Sequence, residues 1–301
     1  MASRARSPEL ARWLSSPPSE TTPDLLELAR NQAKKRRPID LVGQRERDAF
    51  VQPSSVDQRI LHKLDGLALE AASEFEALQL SPVAPLGVCS AIAPTSQDRT
   101  LSANRGTEVV SDPTNVLAVE CARRLAQEPD RVVRLCTLHQ VLRAQPLPKQ
   151  AGFSRHFRLF TPVVGGPARP DDGFEIDAIG AVVGVFDRLM TACETIGASV
   201  ANRRARIFRS EARPVLAARA RTMLEKSYPH IAIEETSLES TYYAGLRVML
   251  FADAPAVPGM NIADVGVFDW IEKLLSNRRM RFVAGGFGLE LVPKVFGIAR
   301  A

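Results

Sequence analysis

Arg143 closes one candidate strand and Arg155-His156 opens the next, within the stretch Val141–Val164. A loop containing proline, glycine and lysine separates them. A guanidinium forks onto phosphate or carboxylate oxygens, and an aromatic face stacks on a planar ring. On the return strand Phe157, Leu159, Thr161 and Val163 point one way, and Arg158, Phe160 and Val164 the other. Such a hairpin suits an anionic planar ligand, although an ordinary hairpin with solvent-facing charges has the same pattern. Asp112-Pro113-Thr114 is a second place for chemistry. Its carboxylate and hydroxyl suit an ammonium or amide, or simply cap the helix that Pro113 begins. The third is Gly285-Gly286-Phe287-Gly288-Leu289-Glu290 after a candidate strand. Glycines there let the backbone approach a nucleotide, or let a helix pack closely on a sheet. No Gly-Lys-Ser/Thr follows, which excludes a Walker A loop. The antiparallel character of the preceding chain argues against a dinucleotide fingerprint.

Composition sets the limits on these readings. The chain has 301 residues, 45% of them hydrophobic and 24% charged, which describes a soluble globular protein able to bury a large core. A net charge of +5 is too small for a nucleic-acid coat. No apolar run reaches the roughly 18–20 residues that span a bilayer, so no membrane association is expected. The N-terminus lacks the apolar run of a secretory signal. The four cysteines, Cys89, Cys121, Cys136 and Cys193, lack metal-ligand spacing and have apolar neighbours. Buried reduced thiols in a cytoplasmic protein are expected, with no metal held by side chains.

The elements follow from periodicity. Residues 1–55 read as a basic, partly flexible extension, with a short helix from Pro23 that ends in Lys34-Lys35-Arg36-Arg37 and is stopped by Pro38. That cluster faces solvent, or touches RNA phosphates or another acidic partner. An amphipathic helix over Val56–Leu80 carries Ile60, Leu64, Leu67, Ala71, Phe75 and Leu78 on one stripe, and an extended segment with Pro85 follows. Another helix starts at Pro113, and Arg131–Leu138 is β-rich. Asp172 and Glu175 stand at capping-box spacing before a helix with Ile176, Ile179, Val183, Phe186, Met190 and Cys193. A helix over Arg213–Lys226 precedes strands at Ile231–Ile233, Thr241–Phe251 and Asn261–Val267. A short helix over Asp269–Asn277, a strand over Arg281–Ala284 and a terminal helix bent at Pro293 complete the prediction.

Taken in order, these pieces resemble the three motifs of class II aminoacyl-tRNA synthetases over about 56–298. They are helix then Pro-containing strand (57–87), strand–loop–strand with arginine (141–164), and strand, glycines and helix (281–296). The likeness is nearest to histidyl-tRNA synthetase and its regulatory paralogue, the ATP phosphoribosyltransferase regulatory subunit. Arg143-Ala144-Gln145 is similar to the family's Arg-x-Glu, and His156 with Phe160 to its [Arg/His]-x-x-x-Phe. Asp112-Pro113-Thr114 resembles Glu-Gly-Thr, and Phe174-Glu175-Ile176-Asp177 the acidic opening of the next family helix. Thr241-Tyr242-Tyr243-Ala244-Gly245 resembles the tyrosine-rich substrate strand, and Val265-Gly266-Val267-Phe268-Asp269 the Gly-Gly-Arg-Tyr-Asp turn.

The resemblance implies an α+β core with an antiparallel sheet flanked by helices, a site for ATP with Mg²⁺, and a homodimer formed through the first motif. It places Arg143 on the α-phosphate, Phe160 on adenine and His156 near the outer phosphates, with Arg155 also on the nucleotide side. Gln145, Gly286 and Gly288 fall on the nucleotide side, with Lys294 standing where the third motif has an arginine. Asp112, Thr114, Tyr242, Tyr243 and Asp269 fall on the side of the amino acid or carboxylate. Three departures bear on function. Gln145 replaces a glutamate, the third-motif arginine is missing, and so is the arginine of the Gly-Gly-Arg-Tyr-Asp turn. The chain ends directly after the third motif, so residues 56–301 are expected to be a catalytic core without an anticodon-binding domain. tRNA is accordingly not expected as a partner. Two functions fit: a stand-alone ligase that adenylates an amino acid or small carboxylate for a non-tRNA acceptor such as a carrier protein, or a non-catalytic amino acid sensor that regulates a partner enzyme.

Overall fold

The computed structural model describes residues 8–147 and 152–298. The tip of the hairpin loop, 148–151, lies outside the described residues. The chain opens with α1 (Pro8–Ser15), α2 (Pro18–Lys34) and α3 (Pro38–Arg47). Pro23 therefore sits inside α2 rather than at its start, and Pro38 begins α3 as well as ending what precedes it. Asp40 accepts from the Arg37 N–H at 2.9 Å, closing the first turn of α3. Neither α2 nor α3 buries a side chain.

Helix α4 (Gln58–Ala71) buries Leu61, Leu64, Ala68 and Ala71. It stops well short of Leu80, and residues Glu76–Ala77 form strand β1 instead. The apolar stripe continues past Ala71 in steps of four and three, to Phe75 and Leu78, which fits one helix face. Pairing with the strand Val133–Leu142 overrides that helical stripe: Glu76–Ala77 add to it in parallel, and the Leu78 N–H donates to the Cys136 carbonyl at 2.8 Å.

The remaining elements are β2 (Val83–Pro85), α5 (Val88–Ile92), β3 (Ser102–Ala103), β4 (Thr107–Val109), α6 (Pro113–Gln127), β5 (Val133–Leu142), β6 (His156–Pro167), α7 (Gly173–Glu194), β7 (Ala201–Arg209), α8 (Pro214–Ser227), β8 (Ala232–Ser237), β9 (Leu246–Ala254), β10 (Val257–Phe268), α9 (Trp270–Leu275) and β11 (Met280–Gly288). An eight-stranded sheet runs β1-β5-β6-β11-β10-β9-β7-β8, and a small sheet runs β2-β4-β3. The inner pairings of the large sheet are antiparallel, while both edge strands, β1 and β8, add in parallel. The architecture is α+β, with the antiparallel expectation corrected to a mixed sheet.

Alternation assigns each strand residue to one of two cores. Phe160, Val164, Val265, Val283 and Phe287 pack with α4, α7 and α8. Val163, Phe282 and Ala284 pack on the opposite face with α6 and α9. The capping box expected at Asp172 and Glu175 does not form, because Asp172 is left-handed (φ 55°) and caps nothing. Both carboxylates turn to Arg213, at 2.5 and 2.8 Å, and Glu175 is fully buried there. The glycine run also differs from expectation. It lies within β11 up to Gly288, and only one wide turn, Val292–Phe296, follows. All four cysteines are buried and free, and burial pushes the Cys136 thiol up to about 11 and that of Cys193 up to about 12. Among the described residues no helix is long and apolar enough to cross a membrane.

The short parallel edge strand is held by charge. Arg124 of α6 donates to Glu76 at 2.5 and 2.8 Å and to Glu120 at 2.8 Å. Arg123, and then Arg124, hold the Glu120 carboxyl down at about 2. A carboxylate held below its unfolded value adds stability that is fully present above about pH 4.3 and is lost as pH falls toward the folded value. Glu120→Gln is accordingly expected to flatten the fall in thermal stability between about pH 4.5 and about pH 2.5. Melting curves across that range, against the parent chain, check it; an unchanged slope would discard this pair as a source of acid sensitivity.

Candidate functional site

A cavity of about 560 Å³ opens on the α6 face of the large sheet, where the N-terminus of α6, the ends of β5 and β6, and β9, β10 and β11 converge. That volume lies in the usual range for small-molecule sites. Strand parity aims the lining residues at it. Phe157 and Leu159 come from β6, Arg247 from β9, Asp264 and Gly266 from β10, and Gly286 and Gly288 from β11.

Asp112 caps α6, accepting from the Thr114 N–H at 3.1 Å and the Thr114 hydroxyl at 2.7 Å. Its other oxygen lies 3.8 Å from the Arg143 guanidinium and accepts from the Tyr242 hydroxyl at 3.5 Å. Capping and binding are thus compatible, since the two carboxylate oxygens divide the work. Arg143 also donates through Nε to the Ser111 carbonyl at 2.9 Å, and its guanidinium lies 5.2 Å from the centre of the Phe157 ring. The residue after β5 therefore carries a cation held at a fixed place, with the rest of its fork directed toward the cavity region.

The far wall is a second charge cluster. Arg247 grips Asp264 through Nε at 3.0 Å and Nη2 at 2.5 Å, and the Tyr243 hydroxyl donates to the same carboxylate at 3.0 Å. The guanidinium is sandwiched, 5.0 Å from the Tyr243 ring centre and 5.4 Å from that of Phe208. Burial pushes the Asp264 carboxyl up, opposed by Arg247. Burial also raises both tyrosines, which remain neutral hydrogen-bond donors. Gly266 makes the arrangement possible: a Cβ there would stand 2.5 Å from the Tyr243 ring, so only glycine lets that ring lie on the sheet. Tyr242 and Tyr243 sit in the turn before β9 rather than on the strand, because Gly245 (φ 99°) breaks the extended run.

Arg143, Gln145, Asp112, Thr114, Tyr242, Tyr243, Gly286 and Gly288 all line this cavity. Five other candidates do not. Phe160 points to the opposite face of β6, fully buried, with its ring edge-on to Phe186 of α7 at 6.3 Å. It cannot stack on a ligand across the sheet. His156 has the same parity: Nε2 meets the Gln52 carbonyl at 2.6 Å and Nδ1 meets the Gln140 amide at 3.1 Å. One neutral tautomer, donating from Nε2 and accepting at Nδ1, satisfies both contacts. Arg155 donates to the Ala144 and Gln145 carbonyls and lies over the Phe50 ring at 5.1 Å, which ties the hairpin to the N-terminal segment. Asp269 precedes α9 and pairs with Lys273 at 2.9 Å.

Lys294 faces a separate cavity of about 1150 Å³ between the hairpin and residues 49–63, together with Arg155 and His156. It donates to Glu290 at 2.7 Å and to Ser154 at 3.1 Å. Glu290 also accepts from Ser54 at 2.7 Å and from the Arg158 N–H at 2.9 Å. Burial pushes this carboxyl up, but the bonds from Lys294 and Ser54 outweigh it and leave it below its ordinary value. Lys294 is thus engaged as a counter-ion to Glu290 and does not line the first cavity.

Phe157, Arg247 and Asp264 were missed from the sequence. The alternation had already put Phe157 opposite to Phe160. Isolated charges of opposite sign within two largely apolar strands were the available signal for Arg247 and Asp264. The cavity's carboxylates, Asp112 and Asp264, are both engaged by guanidiniums, and among the described residues no group of three or more His, Cys, Asp or Glu side chains is arranged to hold a metal. These residues do not fit a resident Mg²⁺; such an ion would have to arrive on a ligand's phosphates.

No family model matches the sequence, and no curated protein matches it. Solved structures do. An ATP phosphoribosyltransferase regulatory subunit/histidyl-tRNA synthetase from Bacillus halodurans C superposes with a TM-score of 0.60 at 11% identity, covering 81% of each chain. Apo histidyl-tRNA synthetase of S. aureus gives 0.61 at 12% identity, over 84% of this chain and 71% of that one. A histidine–tRNA ligase subunit from Alicyclobacillus acidocaldarius gives 0.55 at 12%, over 80% and 94%. At such identities the likeness is one of fold: the chain has the α+β fold of a class II aminoacyl-tRNA synthetase-like core.

Removing Lys294 should strand a buried carboxylate. Lys294→Met is expected to cost about 3 kcal/mol of stability in denaturant titration, while ligand affinity of the folded fraction stays unchanged. A stable variant with lost ligand binding would return Lys294 to the site.

Proposed function

We propose that this chain is an ATP-dependent ligase that activates an amino acid or another small carboxylate as an adenylate and passes it to a non-tRNA acceptor, such as a small amine or a carrier protein. The observation that carries this reading is the meeting of Arg143, Gln145 and Phe157 with Asp112, Tyr242 and the glycines of β11 in one cavity, Arg143 lying beside Asp112. A phosphate needs a cation and an ammonium needs a carboxylate, and the cavity's lining holds both side by side. Phe157, in place of Phe160, offers a ring to adenine, and Gln145 offers an amide to its edge. Arg143 neutralises charge at the α-phosphate. Asp112 and the Tyr242 hydroxyl receive the substrate's polar head, and the Tyr243–Arg247–Asp264 wall limits its length.

The reaction on this reading is an in-line displacement. A carboxylate oxygen of the substrate forms a bond to the α-phosphorus, the bond to the bridging oxygen breaks, and pyrophosphate leaves. No side chain has to move a proton; the protein's contribution is position and charge neutralisation. Mg²⁺ enters as the counter-ion of ATP.

A second reading, an amino acid-sensing regulatory subunit, is favoured by one specific observation. Lys294, after the glycine strand, is committed to Glu290 and lines the other cavity, so among the described residues the end of β11 brings no free cation to the first cavity. Pyrophosphate exchange with Mg–ATP and a panel of amino acids separates the two. The ligase should show carboxylate-dependent exchange that falls by at least about 100-fold in Arg143→Ala. Exchange absent across the panel, with an amino acid raising Tm in the absence of ATP, would establish the regulator instead.

A homodimer is part of the same proposal. Val83, Leu86 and Leu101 stand exposed on the small sheet and its flanks, Leu86 at 52%. Light scattering should report twice the chain mass, and Leu86→Asp should yield monomers; a monomeric parent chain would remove this face as an interface.

A further inference from the structure

Three guanidiniums line the cavity, those of Arg99, Arg143 and Arg247. Arg247 is saturated by Asp264 and two aromatic rings. Arg143 is divided among the Ser111 carbonyl, Asp112 and Phe157. The Arg99 side chain makes no hydrogen bond, ion pair or ring contact among the described residues, although its backbone is held with care.

The mount is built from buried polar groups that the proposed chemistry does not use. Glu108 of β4 is fully buried and accepts from the Gly87 N–H at 2.7 Å, the Cys89 N–H at 3.2 Å and the Gln97 amide at 2.6 Å. Gln97 opens a 3-10 turn, Gln97–Arg99. It also donates to the Thr100 hydroxyl at 2.8 Å and accepts from Ser90 at 2.7 Å. The carbonyl of Arg99 itself accepts from the Ala144 N–H at 2.9 Å, between Arg143 and Gln145. A fixed backbone beside the hairpin therefore presents an unpaired cation at the rim of the cavity. A carboxylate with no exposure, met by three donors, is an expensive way to hold a solvent-exposed arginine for its own sake.

We infer that Arg99 binds the outer phosphates of a nucleoside triphosphate in this cavity, supplying from the turn before β3 a cation that the end of β11 does not bring. The inference rests on the nucleotide reading of the site. A guanidinium fork accepts two oxygens of one phosphoryl group, and the free head of Arg99 can turn while its backbone stays in place. Pyrophosphate released from such a site leaves from the rim, past Arg99.

Isothermal titration of the full chain with ATP, AMP and adenosine tests this, using the parent, Arg99→Ala and Arg99→Lys, with melting curves to show that each is folded. ATP affinity should fall about tenfold in Arg99→Ala and recover in part in Arg99→Lys, with AMP and adenosine affinities unchanged. Arg99→Ala binding ATP as tightly as the parent overturns the role of Arg99 and leaves the nucleotide site standing. An equal loss for ATP and AMP overturns the assignment to the outer phosphates. A parent chain that binds none of the three overturns the nucleotide reading and this inference together.

Discussion

A β-strand gives its side chains to two faces by turns, and β6 has to satisfy both at once. On one face Phe160 and Val164 complete the core beneath α7, with Phe287 from β11 and Phe186 from the helix in ring contact. On the other, Phe157 and Leu159 line a cavity. The glycines of β11 belong to the same constraint: a Cβ on Gly285 would stand 2.6 Å from Val182 of α7, whereas Gly286 lies on the cavity side against Leu159. A slip of one residue in either strand would place the aromatic core in the site and the site under α7.

Charge follows the same division. On the cavity side the carboxylates of Asp112 and Asp264 are met by guanidiniums that also define the walls. On the opposite side Arg158 pairs with Asp65 of α4 at 2.7 Å, and Glu290 gathers Lys294, Ser54 and the Arg158 N–H. His156 and Arg155 join that second group through Gln52 and Phe50. The residues just before α4 thus brace the hairpin from behind, which keeps its cavity face in position.

Periodicity alone made much of the architecture legible. The apolar step of α7, the alternation of β9 and the break at Asp112-Pro113 all stand in the structure as read. Local pattern failed where sheet pairing ended a helix that the apolar stripe would have continued, as at Phe75 and Leu78, or where a tertiary partner outbid a local cap. Glu175 is the case in point, since burial against Arg213 satisfies its charge better than an exposed N–H would.

The order of elements, the arginine-bearing hairpin and the polar residues Asp112, Thr114, Tyr242 and Tyr243 were determined by the sequence itself, because residue type and spacing dictate which elements form and which groups they carry. Which side chains share a cavity was decided only by the tertiary structure. Phe157 and Phe160 are chemically alike, and so are Arg99, Arg143 and Arg155. Strand parity, sheet register and the partners each guanidinium had already found separate the members of each set, and those depend on contacts between residues far apart in the chain.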